Sequence, residues 1–422
     1  MNRKKKYRRF VLWCLALDLL VMGYMGYCCL DRKIPDEIYV SEKGGQNVEE
    51  LLKRPFLTFD ETVPVSGNGS YLLPCRLLGV IPFKQIKVTP EAQRSIFVSG
   101  STVGMYMETD GVLIIDTGEI LSEGGETKEP AKNIVKPGDY IVALNDEKIS
   151  GKKDLIEDLK ELGGEEVTLD VVRNGETVPV SITPAKDKQG EYKLGIWVRD
   201  DTQGIGTLTF VDENGNYGAL GHGISDVDTG GLLEIQNGAL YQAQILGIQK
   251  GAKGSPGELS GLIRYEPGKI IGSIETNSKN GIYGHFTGDR KSQISLKKMP
   301  VGYKQEVTEG EASILCCVED EVKEYQAEIT KIDMNHSDTN KSFVIRVTDP
   351  ELLAETGGIV QGMSGSPVLQ NGKIIGAVTH VFVQDSTSGY GIFIENMLEH
   401  CAQAESGNSR QHEFTHKLFC YF

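Results

Sequence analysis

A serine flanked by two glycines is the feature of this sequence best suited to chemistry. The stretch Gly362-Met363-Ser364-Gly365 is followed by Ser366 and Pro367. A nucleophilic serine needs an exposed Oγ on a tight turn, with neighbouring backbone N–H groups to hold the oxyanion of a tetrahedral intermediate. Because glycine permits such a turn, the pattern predicts Ser364 as a nucleophile and Gly362 and Ser364 as the oxyanion donors. The alternative is a tight turn with no chemistry, since short Gly/Ser/Pro strings also arise by chance.

A histidine framed by glycines is the best candidate for the general base. His222 lies between Gly221 and Gly223 and follows an apolar stretch at 217–220. This framing leaves the imidazole unshielded, as a base that accepts the proton of a serine requires. Of the other histidines, His380 follows Ser364 by 16 residues and is expected to pack beside the site. The remaining competitors are His285, His336 and His400.

The third catalytic group should accept the Nδ1–H of the imidazole and hold its tautomer. Asp349 ends an alternating apolar strand at 343–347 and precedes Ser364 by 15 residues, so we predict it as the acid. Asp226 and Asp228 are nearer to His222 in the sequence. Sequence proximity is weak support for them, because such sites are assembled in space.

Length and composition restrict the classes of protein that fit. A chain of 422 residues is too long for one ordinary core and predicts two folded domains. Its 50 glycines indicate many tight turns and a mainly β fold. The formal charge of −15 argues against nucleic acid as a partner, because duplex binding depends on basic side chains. Neither a disulfide framework nor a zinc pattern is visible among the eight cysteines, so we expect no metal and no cofactor.

The amino terminus predicts a membrane anchor. Basic residues at 3–9 precede an apolar run at 10–30, which is long enough to cross a hydrocarbon layer about 30 Å thick. By the positive-inside rule, everything after Asp31 would be exported. A cleaved signal peptide is the main rival, and Asp18 within the run weakens the spanning interpretation.

The middle of the chain predicts a small α+β unit. Short strand candidates at 96–98, 103–107 and 112–116 are followed by another at 140–145. Apolar residues then recur at helical spacing in 152–162. A hairpin with Asn174-Gly175 at its turn completes the unit.

The segment 135–145, Val-Lys-Pro-Gly-Asp-Tyr-Ile-Val-Ala-Leu-Asn, resembles a strand region of bacterial PDZ domains, and the resemblance covers residues 95–185. It implies that a glycine-containing loop, best matched by Val103-Gly104-Met105, presents backbone N–H groups to a peptide carboxylate while the peptide extends the sheet. The alternative is a β-rich packing domain that binds no ligand.

The serine motif resembles the Gly-x-Ser-Gly-x-Pro signature of chymotrypsin-like peptidases. With the anchor, the PDZ-like unit and Gly-His-Gly in that order, the chain is similar to the stage IV sporulation protein B peptidases of endospore-forming bacteria. This resemblance implies a triad of His222, Asp349 and Ser364 in a double β-barrel domain at 195–402. The segments 1–30, 31–94 and 403–422 are then a basic flank with its anchor, an extracytoplasmic linker region and an unassigned tail.

The resemblance also implies a biological role. Such a peptidase is made in the forespore and exported to the space between two membranes. There it cleaves itself and then a membrane regulatory protein of the complex that controls processing of the late mother-cell sigma factor. Two rivals remain: a noncatalytic PDZ adaptor with a degenerate peptidase domain, and an Htr-type quality-control protease. In the Htr type the peptidase precedes its PDZ domains, which is the reverse of the order here.

Overall fold

The structure is a computed structural model of the whole chain. It describes residues 2–41, 48, 52, 56–65, 69–122, 124–287, 294–319, 321–336 and 338–402. The predicted tail at 403–422 lies outside the described residues.

An amino-terminal helix, α1 (Asn2–Asp31), carries the predicted anchor. Its stretch Lys4–Asp31 is 28 residues long and apolar enough to cross a membrane. Most of this stretch is exposed, and its end contacts the following sheet, where Tyr27 packs on Phe83. The length and composition of this helix suit either a membrane span or a signal sequence.

A small sheet with its own core follows α1. Apolar side chains such as Ile38, Leu73 and Ile86 are fully buried in it. Parallel pairing joins its first strand to its last, and the others are antiparallel. The region at 31–94 is therefore largely a folded unit rather than a plain linker. Its strands are β1 (Glu37–Ser41), β2 (Leu57–Phe59), β3 (Val63–Pro64), β4 (Tyr71–Leu77) and β5 (Ile81–Glu91).

Two paired strands of 16 residues each form the spine of the rest of the molecule. These are β7 (Thr102–Thr117) and β16 (Ile196–Val211), which run antiparallel from the pair Thr117–Ile196 to the pair Thr102–Thr207. Their two ends belong to different hydrophobic cores. The strand candidates predicted at 103–107 and 112–116 are both part of β7, which continues through Gly111.

The PDZ-like unit is inserted between the end of β7 at Thr117 and the start of β16 at Ile196, which are the far ends of this pair. It packs the helix α2 (Lys152–Leu162) through Leu155 and Leu159 onto a sheet. The predicted hairpin is present, with Asn174 and Gly175 both at positive φ. The strands of this unit are β8 (Ile120–Leu121), β9 (Thr127–Lys128), β10 (Tyr140–Leu144), β11 (Glu147–Lys148), β12 (Val167–Arg173), β13 (Glu176–Ile182), β14 (Ala185–Lys186) and β15 (Tyr192–Lys193).

The near ends of the spine, at the pair Thr102–Thr207, lie in an open sheet that carries His222. In all, 14 strands are joined in this sheet. They include β10 to β13 of the PDZ-like unit, which are joined to the same spine. Apolar side chains of the near ends, such as Met105 and Leu208, form its core. The other strands here are β6 (Ser95–Val98), β17 (Asn216–Ala219), β18 (Ile235–Gln249), β19 (Glu258–Ile263), β20 (Ile270–Ile274), β21 (Thr276–Ser278), β22 (Gly281–His285) and β23 (Lys297–Pro300).

A closed barrel of six strands carries Ser364. A short helix, α3 (Pro350–Thr356), comes before the serine turn in the sequence. A further helix at 394–402 follows the last strand. The barrel strands are β24 (Gly310–Cys317), β25 (Val322–Ile332), β26 (Phe343–Val347), β27 (Pro367–Gln370), β28 (Lys373–Phe382) and β29 (Asp385–Phe393).

The mainly β fold that the sequence predicted is confirmed, with two differences. First, only one of the two predicted barrels closes in the described part of the chain, because β7 and β16 leave the other half to enter the PDZ-like unit. Second, the predicted boundaries of 95–185 do not match the cores. The first half of β7 packs with the peptidase part, whereas the PDZ-like core extends to Ile196 and Val198.

Candidate active site

Ser364 lies on a tight turn between α3 and β27. The turn is built by Gly362 and Gly365, whose φ angles of 97° and 92° suit glycine and few other residues. The hydroxyl of Ser364 donates a hydrogen bond to the carbonyl of Thr379 at 2.7 Å. Ser364 is partly exposed, so its Oγ is accessible from a cavity.

Strand β16 holds this turn against the other half of the molecule. The hydroxyls of Thr207 and Thr209 donate to the carbonyls of Gly362 (2.9 Å) and Gly365 (2.7 Å). The backbone N–H of Thr207 donates to the carbonyl of Ser364 at 3.0 Å. A Cβ at Gly365 would lie 2.2 Å from the carbonyl oxygen of Thr207, so no larger residue could allow this approach. No local pattern in the sequence marks the two threonines, since their partners are distant in the chain.

His222 reaches the same place from β17. After the strand ends, Leu220 and Gly221 both adopt positive φ, at 66° and 67°, and turn the chain toward the barrel. A Cβ at Gly221 would come within 2.9 Å of Thr379 and Ile392. The glycine before His222 is thus needed for close packing between the sheet and the barrel.

The tautomer of His222 is fixed by a backbone carbonyl. Its Nδ1 lies 2.8 Å from the carbonyl oxygen of Gly223. Because a carbonyl only accepts, Nδ1 must carry the proton in the neutral ring, which leaves Nε2 as the proton acceptor. In this structure the partner of Nδ1 is thus the Gly223 carbonyl and not a carboxylate.

One cavity of about 450 Å³ brings the serine and the histidine together. His380 also lines it, with its ring centroid 4.7 Å from that of His222. The prediction that His380 packs beside the site is confirmed. The other lining residues are mostly apolar: Met105, Gln203, Gly204, Ile205, Leu220, Ile224, Pro256, Ile359, Val360, Gln361, Gly362, Thr379, Val381 and Val383.

Both imidazoles in the cavity favour their neutral forms. Burial lowers the pKa of His222, and the hydrogen bond to Gly223 only partly opposes this effect. Burial, together with the neighbouring ring of His222 and the charge of Lys341, lowers the pKa of His380 to about 4. A neutral imidazole is the form that can accept a proton from serine.

The predicted oxyanion donors are available. In the described part of the chain, the backbone N–H groups of Gly362 and Ser364 donate to no protein acceptor, whereas those of Met363 and Gly365 donate to Val360 and Val378. Two unpaired N–H groups beside an activated hydroxyl are what the oxyanion of acyl transfer requires.

Asp349 is not among the residues that line this cavity. It is the N-cap of α3, and its Oδ1 accepts from the backbone N–H groups of Glu351 (2.9 Å) and Leu352 (3.1 Å). Its Oδ2 accepts from the N–H of Gln326 at 3.1 Å. The structure therefore brings two of the three predicted catalytic residues together, and the role of Asp349 as the acid stays a prediction. Asp226 and Asp228, the alternatives, are both paired with Arg199.

The predicted peptide-carboxylate loop is wrong in its placement. Val103, Gly104 and Met105 lie inside β7, which pairs with β16 along one edge and β18 along the other. No loop exists there to present N–H groups. Gly104 instead allows close packing, because a Cβ at this position would lie 2.6 Å from Ile263.

Comparison with known proteins identifies a family of peptidases. Residues 190–398 match the family model described as SpoIVB peptidase S55. This part of the chain belongs to the SpoIVB peptidase S55 family. It is a serine peptidase, as the sequence predicted, and proteins or peptides are its substrates.

Similar solved structures include PDZ domains and HtrA-type proteases. The PDZ domain of an SdrC-like protein from Listeria monocytogenes is 20% identical, with 21% of this chain and 87% of that one covered and a TM-score of 0.17. The HtrA-type protease AlgW with a decapeptide is 9% identical, with 73% of this chain and 65% of that one covered and a TM-score of 0.31. The Rv3671c protease in its inactive form is 14% identical, with 47% of this chain and 84% of that one covered and a TM-score of 0.25.

The described residues contain no group of three or more His, Cys, Asp or Glu side chains arranged to hold an ion.

Proposed function

We propose that Ser364 is the nucleophile and His222 the general base of this serine peptidase. The single observation that carries the proposal is the shared cavity, in which the serine hydroxyl, a neutral imidazole and two unpaired backbone N–H groups meet. The histidine comes from the open sheet and the serine from the barrel. Catalysis therefore depends on the contact between the two halves.

The geometry suggests the order of the steps. Binding of a peptide rotates the Ser364 hydroxyl away from the Thr379 carbonyl and toward Nε2 of His222. As Oγ attacks the peptide carbonyl carbon, Nε2 takes the hydroxyl proton, and the N–H groups of Gly362 and Ser364 hold the oxyanion. The imidazolium then gives this proton to the leaving amine, and water releases the acyl group by the same steps. The Gly223 carbonyl stabilises the imidazolium through Nδ1–H.

The biological role that we propose is signalling during sporulation. The peptidase would be tethered to the forespore membrane by α1, with its catalytic part in the intermembrane space. It would cleave itself and then a membrane regulatory protein of the sigma-factor-processing complex. The family membership and the apolar helix support this role.

We infer that an extended peptide would bind the PDZ-like unit along β16 rather than at Val103–Met105. In the described part of the chain, the first residues of β16, Ile196 to Arg199, pair with β7 alone. Helix α2 is tied to the same strand, since Nζ of Lys152 lies 2.8 Å from Oδ1 of Asp200. A free strand edge beside a helix is a surface that a peptide can extend by backbone hydrogen bonds.

The test compares the whole chain with its Ser364→Ala variant. Each is incubated alone in detergent, and fragments are followed by intact mass. We expect fragments from the wild type only, because the variant lacks the nucleophile. Circular dichroism checks that both are folded. Equal fragmentation of the variant would move the nucleophile elsewhere, and intact chains in both samples, with no hydrolysis of added peptides, would favour the adaptor.

A further inference from the structure

The cavity beside Ser364 has walls that are mostly apolar. Ile359 and Val360 lie on the segment before the serine, and Val381 and Val383 come from the end of β28 and the turn after it. Ile205 and Ile224 from the open sheet also line it. Asp, Glu, Lys and Arg are absent from the lining, all of which belongs to the described part of the chain.

The only titratable side chains in the lining are the two imidazoles. Since both have lowered pKa values, the cavity carries no charge at neutral pH. A charged substrate side chain would find no opposite charge in these walls, and its burial without a partner is costly.

The position of the cavity determines which part of the substrate enters it. The attacking Oγ of Ser364 and the oxyanion donors at Gly362 and Ser364 all line it. The residue whose carbonyl carbon is attacked must therefore lie within the cavity. Its side chain branches from the Cα next to that carbonyl carbon and therefore faces the walls of the same cavity.

We propose that this cavity selects an uncharged apolar residue on the carbonyl side of the bond that is cut, with Val381, Val383 and Ile224 as the residues that determine the selection. The proposal rests on the catalytic roles of Ser364 and His222. The volume of about 450 Å³ also contains the space for the substrate backbone, which favours aliphatic side chains such as valine and leucine.

Val383 offers a variant that should not disturb folding. It lines the cavity but is 53% exposed, at the rim. A glutamate there would place a carboxylate beside the entering side chain and attract lysine, and a lysine there would attract glutamate. Val80, on the small amino-terminal sheet, is 74% exposed and does not line the cavity. Val80→Glu is therefore the matched control for an added surface charge.

The experiment uses the full chain in detergent and internally quenched peptides of one sequence that differ at a single residue: valine, leucine, lysine or glutamate. For the wild type we expect kcat/KM for valine or leucine to exceed that for lysine and glutamate by about 10- to 200-fold. Val383→Glu should raise the lysine-to-leucine ratio about tenfold, and Val383→Lys should raise the glutamate-to-leucine ratio similarly. Val80→Glu should change neither ratio.

A second measurement needs no variant. Intact mass of the self-cleavage fragments should place valine, leucine or another apolar residue on the carbonyl side of each cut. Equal hydrolysis of charged and apolar peptides, or cuts after charged residues, would overturn this inference while Ser364-dependent hydrolysis still upheld the proposed function. Absence of any Ser364-dependent hydrolysis would overturn both.

Discussion

At the scale of single residues, the site depends on backbone groups as much as on side chains. The Gly223 carbonyl fixes the tautomer of His222, and the N–H groups of Gly362 and Ser364 are free for an oxyanion. The Asp349 carboxylate is engaged at a helix terminus. The resting Ser364 hydroxyl donates to Thr379, so substrate binding must precede activation of the nucleophile.

The lowered pKa of His222 predicts the acidic side of the pH–rate profile. The base acts only when it is neutral, so kcat/KM should fall as the pH drops through the pKa of the buried imidazole, which lies below the value of 6.5 for a free histidine. Initial rates of peptide hydrolysis from pH 4 to 9 measure this. An acidic limb at or above pH 6.5 would contradict the burial that lowers the pKa.

His380 predicts a change in stability with pH. Its pKa is about 4 in the folded protein and about 6.5 in the unfolded chain, so between these values the unfolded chain binds more protons. This group therefore lowers the free energy of unfolding as the pH falls from about 6.5 to 4. His380→Asn should reduce that slope relative to the wild type in chemical denaturation at several pH values. Parallel curves for the two proteins would show that His380 does not titrate as stated.

At the scale of elements, α3 and its cap position the serine turn. Asp349 begins the helix, Gly357 ends it in the left-handed conformation, and the turn of Ser364 follows. The register of the turn on β16 is set by Thr207 and Thr209. If the start of α3 were loosened, the oxyanion donors would be disturbed as well, because only a few residues of chain separate them from the helix.

Two substitutions separate the cap role of Asp349 from an acid role. Asp349→Ala should lower the free energy of unfolding by about 0.5–2 kcal/mol, and Asp349→Asn by less, because asparagine is also a good N-cap. If Asp349 acts only as the cap, the asparagine variant keeps most peptide hydrolysis. Denaturation and initial rates are measured on the same preparations. A stable asparagine variant with hydrolysis reduced by orders of magnitude would place this carboxylate beside His222 in the working enzyme.

At the scale of the whole molecule, the long pair of strands β7 and β16 joins the PDZ-like unit to the peptidase part. Each strand contributes to both cores. Deletion of 95–185, the unit predicted from the sequence, would remove β6 and β7 and so destroy the peptidase core. The PDZ-like unit is better removed by cutting both strands at one pair of opposite residues, Glu108 and Asp201.

We expect a chain without residues 109–200, closed by an Asn-Gly turn between Glu108 and Asp201, to keep the peptidase fold. Two-residue turns of this type suit antiparallel pairs, and the near ends of both strands with Met105 and Leu208 remain. Ser364-dependent hydrolysis of short peptides should persist, and the choice or timing of self-cleavage should change. Deletion of 95–185 serves as the unfolding control in circular dichroism. An unchanged cleavage pattern would leave the PDZ-like unit as a spacer.

The sequence by itself determined the features that depend on local chemistry. Helix α2 was predicted at its observed bounds from apolar periodicity. The Asn-Gly turn at 174–175 was visible because these residues tolerate positive φ. The glycines around His222 and Ser364 marked both residues, since tight turns and close approach require glycine.

Only the tertiary structure decided what depends on distant partners. Gly104 looked like a loop residue, but pairing on both edges of β7 places it inside a sheet. Asp349 fitted an acid by its position at a strand end, yet the nearby backbone N–H groups of α3 and β25 bind its carboxylate. The two threonines of β16 and the Gly223 carbonyl carry no local signal, because their roles arise when the open sheet meets the barrel.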